Sequence, residues 1–447
     1  MSPFHNKKAA LLGIIALLAF ALSAVIAQAD EKQNILQSLS EQRAFKTQAI
    51  EDPAGAMDHF YAALARTAAK KPGAMTRIAH FGDDLIEKEL FSGPFRRRIQ
   101  EKWGDGGHGF VLGSRSKPWY RPKNVFFKSS NSWISFNMTE TNVRDRCFGL
   151  GGATATAFKA GAEVKFGAKK TGRIGKKVSR FEILFPQEPT GGSVEIELDG
   201  KKYGILNTKS DRCRDSFAEI LVPEGYHRLQ LKATRKNIRI FGAVLEAGAP
   251  GVVYDALGVG ESGVGTFLSV DETHWQNQLR HRRPNLVIIG VGANDVSETF
   301  NASYYRLSVK TLIDRIKKAL PDSSILIMGP LDKGEKDGDK ITTHKKVPGM
   351  VAAQREAAAD SGAAFWSAYD AMGGKGSMAR WYEATPRLGA GDLFLPTPKG
   401  GKRLAEMFYS ALMQGFAEYL EKNPVPINSL PAPPEDSLAK VEIQKTP

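Results

Sequence analysis

The sequence predicts an α/β fold: a doubly wound parallel sheet flanked by helices, with an inserted β-sandwich. Three observations carry this. Short apolar runs alternate with helical stretches on both sides of the chain's middle, the pattern of strands and helices in a doubly wound sheet. Between them, residues 119–249 break into short segments that alternate apolar and polar side chains, as half-buried strands do. The 447 residues exceed one average domain, and 42% of them are hydrophobic, an ordinary share for a globular chain.

Taken in order, residues 1–29 read as a signal peptide. Lys7 and Lys8 form a positive n-region, Ala9 to Ala27 carries no charge, and Ala27-Gln-Ala29 offers small residues for cleavage before Asp30. An uncleaved leader acting as a membrane anchor is the alternative, because the stretch approaches the ~20 residues that span a bilayer. Either reading puts the body of the protein outside the cytoplasm, in the periplasm or beyond. Residues 33–118 give a packing helix and the first part of the α/β domain. Met57, Phe60, Tyr61 and Leu64 share one helix face, and Ile78-Ala-His-Phe81 is an apolar strand that runs into a turn and a second helical stretch, Gly93 to Lys102.

Residues 119–249 are the inserted β-sandwich. Phe181 to Phe185, Val194 to Leu198, Lys201 to Leu206, Phe217 to Val222 and His227 to Lys232 read as strands, with Asp199-Gly200 and Pro223-Glu-Gly225 as turns. Residues 250–422 return to the α/β pattern. Asn285 to Gly290, Ser324 to Met328 and Ala363 to Trp366 are buried strands, and Tyr304 to Leu320, Met350 to Ala359 and Pro398 to Leu420 are helices. The tail, 423–447, contains Pro431-Ala-Pro-Pro434 and reads as disordered.

The residues that carry chemistry stand at strand ends. The first is Gly82-Asp83-Asp84, the second Tyr254 to Gly263 with Gly260-Glu261, the third Gly292-Ala-Asn294-Asp295, and the last Asp392-Leu-Phe-Leu395. In this order the blocks resemble those of the SGNH (GDSL) hydrolases. Phe365-Trp366, Tyr369 to Gly374 and Gly376 to Trp381 further resemble exported members similar in layout to peptidoglycan O-acetylesterases, in which a β-rich, carbohydrate-binding-like module interrupts the hydrolase domain. The resemblance implies that Asp84 takes the place of the serine nucleophile and Leu395 that of the histidine base. It implies that Asn294 holds the oxyanion-hole asparagine position and Asp392 the triad aspartate position. Gly260 or Glu261 takes the backbone donor's place, while Gly82, Asp83, Gly292 and Asp295 frame the cleft.

Leucine has no lone pair to accept a proton, and a carboxylate attacking an ester forms a reactive anhydride. Losing the nucleophile or the base of a serine triad costs on the order of 10⁶ in rate. The sequence therefore points to a catalytically inactive protein that binds polysaccharide or peptidoglycan. The alternatives are an active O-acetylesterase or O-acetyltransferase using other residues, and an interaction subunit with a protein partner in an envelope assembly. His344, in the polar stretch Lys333 to Pro348, is the remaining candidate base. Ser262 fails the Gly-x-Ser-x-Gly elbow because Val264 ends it, and His80 reads as a packed core residue.

Asp84 also suits an N-cap or turn position before a helix, and Asp83, Asp84, Asp295 and Asp392 together offer an alternative hard-cation site. The leading reading needs no cofactor and no metal. The net charge of +14 suits anionic surface polymers, and no nucleic acid partner is expected for an exported chain. The densest basic run spans Lys159 to Arg180. Cys147 and Cys213 are the two cysteines. Sequence leaves open whether they are bonded or separate thiols.

Overall fold

The computed structural model describes residues 28–40, 47–140, 143, 145–296, 299–425 and 438–445. Most of the predicted signal peptide lies outside them. Among the described residues no helix is long and apolar enough to cross a membrane.

Five parallel strands build the predicted sheet: β1 (Met75–Gly82), β2 (Gly251–Gly258), β3 (Leu286–Gly290), β4 (Ser324–Met328) and β5 (Ala364–Trp366). Their order is β2-β1-β3-β4-β5, the doubly wound arrangement in which ligands bind outside the carboxyl ends of the strands near the switch point. Register aligns those ends, since Gly82 faces Gly258 on one side and Gly290 on the other. One face is covered by helices Asp58–Ala68, Ser92–Trp103 and Pro398–Lys422, around Phe60, Phe95, Tyr254, Phe408 and Trp366. The other packs on helices Glu272–Arg282, Ala302–Ala319 and Val347–Asp360.

The insert is a sandwich of a five-stranded and a six-stranded sheet, with a small three-stranded sheet beside them. Its limits differ from the predicted 119–249. Strand Gly109–Leu112 pairs with Gly242–Glu246, so the insert begins ten residues earlier, where the short apolar run hid its edge-strand role. Val178–Gln187 is buried on both sides. Ile183 faces the sandwich core, while Leu184 joins the core shared with the α/β domain. Glu182, which in the alternating pattern would face water, is buried in that seam against Arg180 and His281. Around it Glu246 binds Arg77, Arg180 and Arg282 at 2.8, 3.2 and 2.6 Å, and Asp255 binds Arg282 at 2.6 Å.

The hairpin signal Asp199-Gly200 forms as expected, both residues at positive φ. The tail is corrected in part. Ala439–Lys440 adds a parallel strand to Arg214–Gly225, and Gln444–Lys445 adds an antiparallel one to Lys201–Asn207. Leu438 buries its side chain in the process. The Pro-rich part of that expectation, residues 426–437, lies outside the described residues. The polar stretch Lys333 to Pro348 holds a hairpin of Gly334–Asp337 and Lys340–Thr343.

Candidate active site

Strand β1 ends at Gly82, and Asp83 caps the four-residue helix Asp84–Glu87 by accepting the Leu85 N–H at 3.1 Å. Gly258 lets this helix settle on the sheet edge, because a Cβ there would stand 2.1 Å from the Glu87 nitrogen. Asp84 is therefore in the first helical turn rather than at the cap, and its carboxylate is spoken for. One oxygen binds Lys88 at 2.8 Å, and the other accepts the backbone N–H of Glu261 at 2.8 Å.

Glu261 has φ +63°, a left-handed conformation that favours glycine. This is the backbone donor position the resemblance implies, and it points its N–H at the Asp84 side chain. Gly260 is buried between Glu87 and Asp84. Ser262 is buried with its hydroxyl toward the Gly82 carbonyl at 3.4 Å, where it has no base. The exposed Asn294 donates its amide to the Ser262 carbonyl at 3.1 Å. Asp295 accepts the Val264 N–H at 3.0 Å. It approaches so closely because residue 263 is glycine: a Cβ would lie 1.9 Å from its carboxylate. Gly292 shapes the preceding turn at φ +140°, its carbonyl accepting the Asp295 N–H.

The last block does not reach this centre as a triad would. Asp392 is exposed, and one of its oxygens accepts the N–H groups of Phe394 and Leu395 at 3.0 and 2.9 Å. No hydrogen bond or ion pair joins it to Asp84 among the described residues. Leu395 is buried. With Asp83, Leu85, Gly290, Val291 and Phe394 it lines a cavity of about 20 Å³, room for little more than the ~10–15 Å³ that one water requires. Burial in that apolar surround, with Asp84 and Asp295 adding repulsion, pushes the Asp83 carboxyl up to about 7. Burial also raises Asp295.

The four carboxylates proposed for a hard cation do not converge, since Asp392 turns into its own loop. His80 is a core residue as predicted. Its Nδ1 meets the Tyr254 hydroxyl at 2.7 Å, and burial pushes its pKa down to about 3. His344 spends its Nδ1 on the Lys346 N–H at 3.2 Å. A cavity of about 450 Å³ with Arg66, Arg77, Arg280 and Arg283 in its walls opens beside Met75, Asn285 and Ser323, at the opposite ends of the strands, and takes no part in this site.

Sequence reading offers the pair Trp119 and Tyr120 as exposed aromatics that could stack on sugars, but it missed two neighbours, Glu87 and Lys88, and their contact with Trp119. Glu87 is buried and accepts from Trp119 Nε1 at 3.0 Å and Ser116 Oγ at 3.3 Å. Lys88 stands 5.7 Å from the Trp119 ring centre. Trp119 itself is 47% exposed. Helical spacing from Asp84 would have found Glu87 and Lys88; nothing local signals Trp119 as their partner. Tyr120, the other aromatic of that pair, turns inward and accepts the Leu112 N–H.

Sheet order and the aligned strand ends define a doubly wound α/β fold of the SGNH/GDSL type. Comparison agrees: residues 215–403 match the GDSL-like Lipase/Acylhydrolase family. A solved peptidoglycan O-acetylesterase is similar at 22% identity and a TM-score of 0.69, covering 84% of this chain and 99% of that one. Weaker likenesses include a family two carbohydrate esterase from Cellvibrio japonicus, at 11% identity over 66% of this chain and 99% of that one, with a TM-score of 0.26. Another from Clostridium thermocellum has 12% identity over 59% and 95%, with a TM-score of 0.28. No curated protein sequence matches. The chain has the fold of the SGNH/GDSL hydrolases.

Proposed function

We propose that this chain is an exported, catalytically silent SGNH-fold protein that binds cell-envelope or extracellular glycan. One observation carries the loss of catalysis: the Asp84 carboxylate sits on the Glu261 N–H, so the anion the site is built to stabilise is supplied by the protein itself. Oxyanion donors act by being free and pre-aimed at developing charge. Here the Glu261 N–H is bound to Asp84 and the Asn294 amide to Ser262. Leu395 supplies no base, and the adjoining cavity is too small for an acyl group.

Support for glycan binding comes from Trp119. It is half exposed on the rim, held by Glu87 and faced by Lys88, which makes it a pre-oriented platform for a sugar ring. The fold's likeness to a peptidoglycan O-acetylesterase makes peptidoglycan the first polymer to test. The experiment is sedimentation of the purified chain with insoluble peptidoglycan, beside Trp119→Ala and an unrelated protein of equal positive charge. Retention of the natural chain alone supports the reading. Equal retention of all three reduces it to charge, and acetyl release from the polymer by the natural chain overturns catalytic silence.

A further inference from the structure

Asp145, Cys147 and Cys213 bring their ligand atoms within 4.8 Å of one another. Both cysteines are free thiols, Cys213 exposed and Cys147 half-buried, and they share a side-chain hydrogen bond. Asp145 has other work. Its carboxylate binds Arg239 at 2.6 Å and the Cys147 N–H at 3.1 Å, and Arg239 also binds the Cys147 carbonyl at 2.9 Å. The segment carrying Cys147 is thus fixed, while Cys213 approaches from a bend before strand Arg214–Gly225.

These cysteines flank a single clamp. Cys147 precedes Phe148, whose carbonyl meets His274 Nε2. Cys213 lies two residues before Asp215, whose carboxylate meets His274 Nδ1 at 2.5 Å. His274 belongs to helix Glu272–Arg282 of the α/β domain, and both of its partners belong to the insert. We propose that Cys147 and Cys213 are a disulfide site whose closure cross-links the two insert segments that grip His274, fastening the β module to the α/β domain.

The chemistry balances with a small-molecule or protein disulfide as oxidant. The Cys213 thiolate attacks one sulfur of that disulfide and expels its partner as a thiolate. The Cys147 thiol then loses its proton, attacks the Cys213 sulfur of the mixed disulfide and expels the second thiolate. Two protein thiols give up two electrons and two protons, and the oxidant leaves as two thiols. The hydrogen bond from Cys147, with help from Arg239, holds the Cys213 thiol down at about 7, so a large share is thiolate at neutral pH. An exported chain meets an oxidising compartment where such a bond persists.

The test treats the full purified chain with oxidised glutathione. The expected result is a monomer that is about 2 Da lighter with no titratable thiol, a 147–213 cross-linked peptide, and a thermal midpoint at least ~5 °C higher. Cys213→Ser should match the reduced natural chain in midpoint and fail to rise on oxidation. A persistent glutathione adduct or an intermolecular dimer overturns the site. Stoichiometric Zn²⁺ that survives dialysis and protects both thiols reassigns the cluster to metal. A cross-link without a rise in midpoint overturns the fastening role.

Discussion

The Glu261 backbone N–H donates to Asp84 Oδ2 at 2.8 Å, joining the turn after β1 to the loop after β2. A carboxylate at residue 84 needs a donor and a cation, and Glu261 N–H and Lys88 provide them. The Asp84 carboxylate is thereby satisfied where it stands.

Asp84→Ala should destabilise the fold by about 1–2 kcal/mol, since it removes one partner from a hydrogen bond and a partly buried ion pair. Urea unfolding with an unchanged m-value would check this. Asp84→Asn, which keeps an acceptor for Glu261, should recover part of the loss.

Asp84→Ser with Leu395→His should raise acetyl-ester hydrolysis at least ~100-fold over the natural chain, the lower range for a positioned general base, while each single variant stays near background. Spectrophotometric assay of a simple acetyl ester decides it. Ordinary turnover by the natural chain would show that another pair of residues does the chemistry.

Asp83 gives a pH prediction. Its native pKa is raised to about 7 from ~3.9 in the unfolded chain, so the native state binds the extra proton between those values. Stability from this group therefore falls as pH rises from about 4 to 7. Asp83→Asn keeps an acceptor for the Leu85 N–H and should gain on the order of 1–2 kcal/mol at pH 8, with little effect at pH 4, measured by thermal unfolding at both values.

His274 also has a raised pKa, so its contribution runs with pH in the same direction, although here the protonated form is the charged one. Burial pulls its pKa down, but Asp215, the Phe148 carbonyl and Asp271 outweigh burial and raise it. Both ring nitrogens face acceptors, Asp215 and the Phe148 carbonyl, which favours the protonated, charged ring. Its contribution is full below about pH 6.5 and is lost as pH climbs through the raised native value. Hydrogen exchange at 145–149 and 213–216 should quicken above that range, and Asp215→Asn should remove the dependence.

Trp119→Ala should abolish retention on the glycan that the natural chain binds while moving the thermal midpoint by less than ~2 °C, because the ring is half exposed and its loss leaves no core cavity. Intact retention would place the binding surface elsewhere.

The strands and long helices of the α/β domain were legible because each is a local pattern: an apolar run, a 3.6-residue periodicity, a cap. Asp84 and Leu395 were legible as single letters in ordered blocks. Three things were decided only by the folded chain. The insert starts at Gly109, because its first strand is recognisable only by its partner at Gly242–Glu246. The end of the tail is ordered because Ala439–Lys440 finds an open sheet edge more than two hundred residues away in sequence. And whether Asp84 is a free carboxylate or a satisfied one depends on a backbone N–H at Glu261. Periodicity and motif order are written along the chain; pairing, burial and the satisfaction of a charge are set by what distant segments bring to the same few ångströms.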